Sequence, residues 1–223
     1  MGARWKVCWL VIWAVAFGVV EGAVVTYLRR LFYSGAALDG PLFPLRIAEP
    51  AVLTTEVTRE AATLVMLGAV AMLAERRPAR RFAAFALCFG LWDLAYYALL
   101  KTAIGWPRGP LEWDILFLIP GPWASPVLAP ALVSAALIVG ALLILLGGDE
   151  TGPSPIRPRD WWVLCACGLP ILASFFWNTA RIARMERPDG YPWWLFLAGW
   201  LGGVGWFAWA WRKRRAREAE RAR

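Results

Sequence analysis

The chain has 223 residues, 60% of them hydrophobic, with 16 tryptophans, a mean hydropathy of +0.51 and a formal net charge of +8. A soluble domain is only about half apolar, so the composition points to a membrane. Histidine is absent, which removes the commonest haem ligand, zinc ligand and general base and excludes bis-histidine haem subunits, HExxH proteases and histidine-ligated di-iron oxygenases.

Apolar stretches of about 20 residues recur along the whole length, each sufficient to cross the hydrocarbon core. The expected fold is all-α: a polytopic integral membrane helical bundle with about six transmembrane helices and a re-entrant or interfacial segment between helices 3 and 4. The spans are expected at about 7–28, 52–74, 82–104, 127–146, 161–182 and 192–211, in a single transmembrane domain 1–211. A basic cytoplasmic tail, 212–223, follows.

The first apolar run is longer than a signal-peptide core and has no Ala-x-Ala site, so it reads as an uncleaved span. Trp5, Trp9 and Trp13 recur every four residues and share a face. Glu21 lies late in this span, between Gly18 and Gly22, a small-xxx-small pair that lets another helix approach. The loop 29–49 ends at Glu49-Pro50, and proline suits the first position of a helix. Glu56 and Glu60 then lie four apart on one face of the second span, with Arg59 between them.

Glu75-Arg-Arg-Pro-Ala-Arg-Arg81 is a short basic turn and the best topology marker. The third span carries Asp93 near its middle, with Tyr96, Tyr97 and Leu100 on the same helical face. Lys101 is expected to snorkel to the headgroups. The segment 105–126 holds Pro107, Pro110, Pro120, Pro122 and Pro126 around a short apolar run that contains Asp114. That run is too short to span, and irregular backbone at membrane depth must be covered by protein or line a wet cavity. It is expected to fold over the outer helix ends and bring Asp114 to them.

The fourth span is almost featureless. Asn178 and Arg181 stand near the far end of the fifth, where Pro170 introduces a kink. Gly199 and Gly203 form a second small-xxx-small pair in the sixth. The four cysteines, Cys8, Cys88, Cys165 and Cys167, all fall in apolar spans. Cys165 and Cys167 diverge by about 200° around a helix and do not converge on a metal.

Most of the 24 Lys and Arg residues fall in segments that share a side with both termini. By the positive-inside rule the chain is expected in the cell membrane, an inner membrane, multi-pass, with both ends cytoplasmic. Basic loops and tail are not a nucleic-acid stripe. The expected partners are the lipid bilayer and either membrane proteins or further copies of the chain, with no nucleic acid.

The chemistry is expected where polar residues of several spans meet in the outer half of the membrane. Glu21, Glu60, Asp93, Tyr96, Tyr97, Asp114 and Asn178 are the candidate substrate- or ion-binding residues, with Arg59 and Arg181 as counter-charges. A charged side chain at a helix centre costs roughly 2.5–3.5 kcal/mol. Three facing lipid would cost on the order of 7–10 kcal/mol, as much as a typical net stability. These groups must therefore face inward, pair or take up protons. No cofactor is expected. Carboxylates would suit a hard divalent cation, but no fixed ligand spacing supports a metal. The leading functional expectation is a transporter-like protein that binds or moves a small solute, cation or proton through this outward-facing acidic and aromatic pocket. The alternatives are a non-catalytic membrane subunit or scaffold, and an intramembrane enzyme acting on a lipid-linked substrate.

Overall fold

The computed structural model describes residues 2–32, 49–147 and 156–221, with the backbone alone at 158, 217–219 and 221. Most of the expected loops 29–49 and 147–160 lie outside the described residues. The elements in order are α1 (Ala3–Phe32), α2 (Pro50–Ala74), α3 (Pro78–Ile104), β1 (Trp113–Phe117), β2 (Trp123–Pro126), α4 (Leu128–Leu146), α5 (Pro158–Phe176), α6 (Thr179–Ala183) and α7 (Trp193–Arg221). Helix dominates, as an all-α bundle requires. Among the described residues five helical stretches are long and apolar enough to cross a membrane: Ala3–Phe32, Pro50–Ala74, Pro78–Ile104, Leu128–Leu146 and Arg159–Ala183. They are compatible with a multi-pass membrane protein.

The sixth expected span falls inside α7, which is long enough but is not among those five. Its first two-thirds is rich in tryptophan and glycine. Indole prefers the interface, and glycine has no side chain to bury, so the helix is less apolar than its aromatic content suggests.

α3 is the centre of the bundle, with α1, α2 and α4 packed against it. Close approach depends on glycine at two crossings. A Cβ on Gly18 would collide with the Trp92 carbonyl oxygen and come within 2.7 Å of the Ala95 Cβ. A Cβ on Gly90 would stand 2.7 Å from the Ser134 carbonyl oxygen and 2.9 Å from Ile138. The backbones of α1 and α4 therefore lie almost directly on α3, a packing that small residues permit. α5 and α7 form a second pair.

The segment 105–126 contains strands as well as turns. β1 and β2 form an antiparallel hairpin that pairs Asp114 with Ser125 and Ile115 with Ala124. An irregularity follows Ile115, after which Phe117 faces Trp123. The extra residue shifts the alternation of the strand, so Phe117 joins Asp114 as a buried residue. Thr179 of α6 ties the hairpin loop down through the Pro122 carbonyl at 2.8 Å.

The basic turn 75–81 is less exposed than its composition suggests. Arg80 and Glu75 are both buried and bonded to each other by two contacts, Nε to Oε2 at 3.0 Å and Nη2 to Oε1 at 3.1 Å. The same guanidinium donates to the Ile144 and Leu145 carbonyls at 3.3 and 3.2 Å, satisfying the C-terminal end of α4. Lys101 is exposed, and its Nζ caps the end of α3 by donating to Pro107 O at 2.8 Å and Gly105 O at 3.3 Å.

Candidate functional site

A cavity of about 110 Å³ lies where α1, α2, α3, α4 and the hairpin meet. Its polar wall is Glu21, Arg59, Glu60, Thr63, Asp93, Tyr96, Tyr97, Asp114 and Ser134. Its apolar wall includes Phe89, Trp92, Phe117, Trp123 and Phe175. The volume accommodates several water molecules but is far smaller than the roughly 300–1,000 Å³ of a drug-sized pocket.

The acids fall into two groups. Glu21 on α1 is ion-paired with Arg59 of α2, and Arg59 also holds Glu56 through Nη2 at 2.7 Å and Nε at 3.1 Å. This trio joins α1 to α2 and carries a formal charge of one excess acid. The remaining three carboxyls accept hydrogen bonds from neutral donors. Asp93, in the middle of α3, accepts from Ser134 Oγ of α4 at 2.8 Å. Glu60, on α2, accepts from the Leu118 backbone N–H in the hairpin loop at 2.7 Å. Asp114, on β1, accepts from Tyr97 at 3.0 Å and more weakly from Tyr96 at 3.5 Å. All three residues are buried, and no ion pair within 4.0 Å reaches any of them among the described residues. A neutral donor orients a carboxyl without supplying an opposite charge.

Asp114 sits on the hairpin, outside the candidate spans. Burial pushes its carboxyl up, to about 6, against the opposing pull of the Arg29 charge and the Tyr97 hydroxyl. Burial likewise raises the Tyr191 hydroxyl, which shares a 2.9 Å hydrogen bond with Ser174. Among the described residues no group of three Asp, Glu or Cys side chains could hold a metal ion.

The cavity thus gathers Glu21, Arg59, Glu60, Asp93, Tyr96, Tyr97 and Asp114. Asn178 and Arg181 are not brought to it. The helical stretch Arg159–Ala183 covers the expected fifth span, interrupted at Trp177 and Asn178 between α5 and α6. The Asn178 side chain ties that turn to the next loop, donating to Gly190 O at 3.2 Å and accepting from Asp189 N at 3.0 Å. Arg181 is 44% exposed and donates to Arg187 O at 3.1 Å, within 4.0 Å of Glu186 and Asp189 in its own loop.

Two residues of this region escape a reading of the sequence. Ser134 is the one feature of α4 that faces an acid, and a lone serine in an apolar helix carries no such signal. Arg29, expected in a loop, belongs to the last turn of α1 and is buried with its guanidinium 3.8 Å from the Trp106 ring centroid. Its Nε and Nη2 find no acceptor among the described residues. Comparison with protein-family models, curated proteins and solved structures gives no match to this chain.

Proposed function

We propose that the chain is a multi-pass integral membrane protein of the cell membrane, with both termini cytoplasmic, whose cavity binds a small cation or proton and passes it toward the outer face. One observation carries this reading. Three buried carboxyls from α2, α3 and the hairpin share a small cavity, each held by a neutral donor and none by a cation within reach of an ion pair. Uncompensated charge at such depth is costly, and a positively charged occupant or protons would relieve it.

The geometry lends less to the alternatives. A purely structural acid cluster would be expected to be dry and paired by cations. An enzyme acting on a lipid-linked phosphate would need an arginine free to hold it; Arg59 is engaged by two glutamates and Arg181 by its own loop.

The test is flux in proteoliposomes. Asp93→Asn and Glu60→Gln keep shape and remove charge, and each is expected to abolish cation or proton flux while elution profile and helix content stay the same. Unchanged flux in both folded variants refutes the reading.

A further inference from the structure

The cavity walls say more about the occupant than its charge. Carboxyls are present, but they are dispersed. A bare alkali or alkaline-earth ion wants about six oxygen ligands close at hand, and among the described residues no three acids could supply a metal site. Aromatic rings line the same cavity. Phe117 is central, its ring centroid 6.3 Å from Phe89, 6.2 Å from Trp92 and 5.5 Å from Trp123. All four rings line the cavity. Aromatic faces attract a cation through their quadrupole, most strongly where water is excluded, and are suited to ammonium ions bearing carbon.

The two tryptophans present their rings to the cavity. Trp92 is 6% exposed, lines the cavity, and its Nε1–H has no acceptor among the described residues. The Trp123 Nε1–H, on the opposite element, also lacks one. Both nitrogens are buried, so the two indoles meet the cavity with their rings and not with a hydrogen-bond donor.

Resting on the cation-binding reading above, we infer that the cavity selects a small organic ammonium ion, of the size of methylammonium to tetramethylammonium, over inorganic cations. The N–H groups, or the positive charge where methylated, face Asp93, Glu60 and Asp114; the carbon groups face Phe117 and Trp123. The cavity, at about 110 Å³, limits the ligand to a few heavy atoms.

Purified full-length protein in lipid nanodiscs is titrated by calorimetry with methylammonium, tetramethylammonium, tetraethylammonium and sodium chlorides. Methylammonium and tetramethylammonium are expected to bind at least about tenfold more tightly than sodium, and tetraethylammonium, which is too bulky, not to bind. Trp123→Leu is expected to weaken the organic ions about tenfold and leave sodium unchanged, with Trp123→Phe restoring the loss. Phe117→Leu replaces Trp123→Leu if that variant does not fold. Sodium binding as tightly as the organic ions overturns the inference, as does unchanged organic affinity in the folded leucine variant. If sodium or protons still act through Asp93 and the ammonium ions do not, this inference falls and the cation-binding reading stands. If no ion gives a signal dependent on Asp93, both fall.

Discussion

Arg80→Ala tests how the bundle is held at the end opposite the cavity. Arg80 is 4% exposed and Glu75 5% exposed. Their double contact, at 3.0 and 3.1 Å, is the fork-to-carboxylate geometry that makes arginine pairs strong. Truncating the arginine leaves Glu75 facing Lys6 Nζ at 3.5 Å. Breaking a buried pair by removing one partner costs about 3–5 kcal/mol, most of it the penalty of the charge left behind. The Ile144 and Leu145 carbonyls lose a donor as well, which pushes the value toward the upper end of that range. The measurement is equilibrium unfolding in detergent micelles followed by tryptophan fluorescence. The double variant Arg80→Met, Glu75→Met is expected to lose less than Arg80→Ala, because no charge is stranded. A loss below about 1 kcal/mol for Arg80→Ala, or a double variant worse than the single one, would show that the pair does not fasten the end of α2 to α3.

Two further outcomes follow from the helix packing and from the cavity. Gly90→Ala places a methyl group against the Ser134 carbonyl at 2.7 Å and is expected to cost about 1–3 kcal/mol by overpacking, whereas Gly68→Ala, with nothing within 4 Å, is expected to stabilise α2 by about 0.5–1 kcal/mol; unfolding of the two variants with the same sign would refute the packing argument. Cation affinity is expected to rise with pH through about 6, because Asp114 carries a raised carboxyl that protons occupy below that value and a cation can use above it. The groups facing Asp114 are Tyr96, Tyr97 and Asp93, with Arg29 opposing the shift. Calorimetric titration at several pH values reads the effect, and an affinity flat across that range would remove Asp114 from the site.

The sequence was informative where an acid stood at a depth that only burial in protein could allow. Glu21, Glu60 and Asp93 were conspicuous because ionisable groups inside apolar spans need a reason, and all three reach the same cavity. Asp114 was placed by its prolines: a short apolar run between them could not span, so it had to fold back over the helices. The partners were not legible. Glu60 is held by a backbone N–H of Leu118, a donor that every residue but proline possesses. Asp93 is held by Ser134, an ordinary residue on the helix that looked emptiest. The hairpin strands were hidden because a short apolar run does not distinguish strand from buried helix. Asn178 and Arg181 do not reach the cavity for another reason: closeness to a span end gives height but not direction, and both side chains bond to the loop that follows α6.

The protein supplies its own comparison for the acids of the cavity. Glu75 is buried as they are, and it is met by the Arg80 guanidinium in two contacts, with Lys6 nearby. Glu21, at the cavity wall, is met by Arg59. When this fold uses a buried acid to fasten helices, it places a cation beside it. Asp93, Glu60 and Asp114 are treated differently: a hydroxyl, an amide and two phenols orient them, and no guanidinium or ammonium closes on them among the described residues. Arg29 is close enough to influence Asp114 electrostatically, yet it forms no ion pair with it within 4.0 Å and lies against Trp106. Fastening alone would be served better by the Glu75 arrangement, since a stranded charge in low dielectric destabilises what it touches. An acid kept oriented but unpaired is the arrangement expected under the proposed reading, in which the opposite charge arrives from outside the chain.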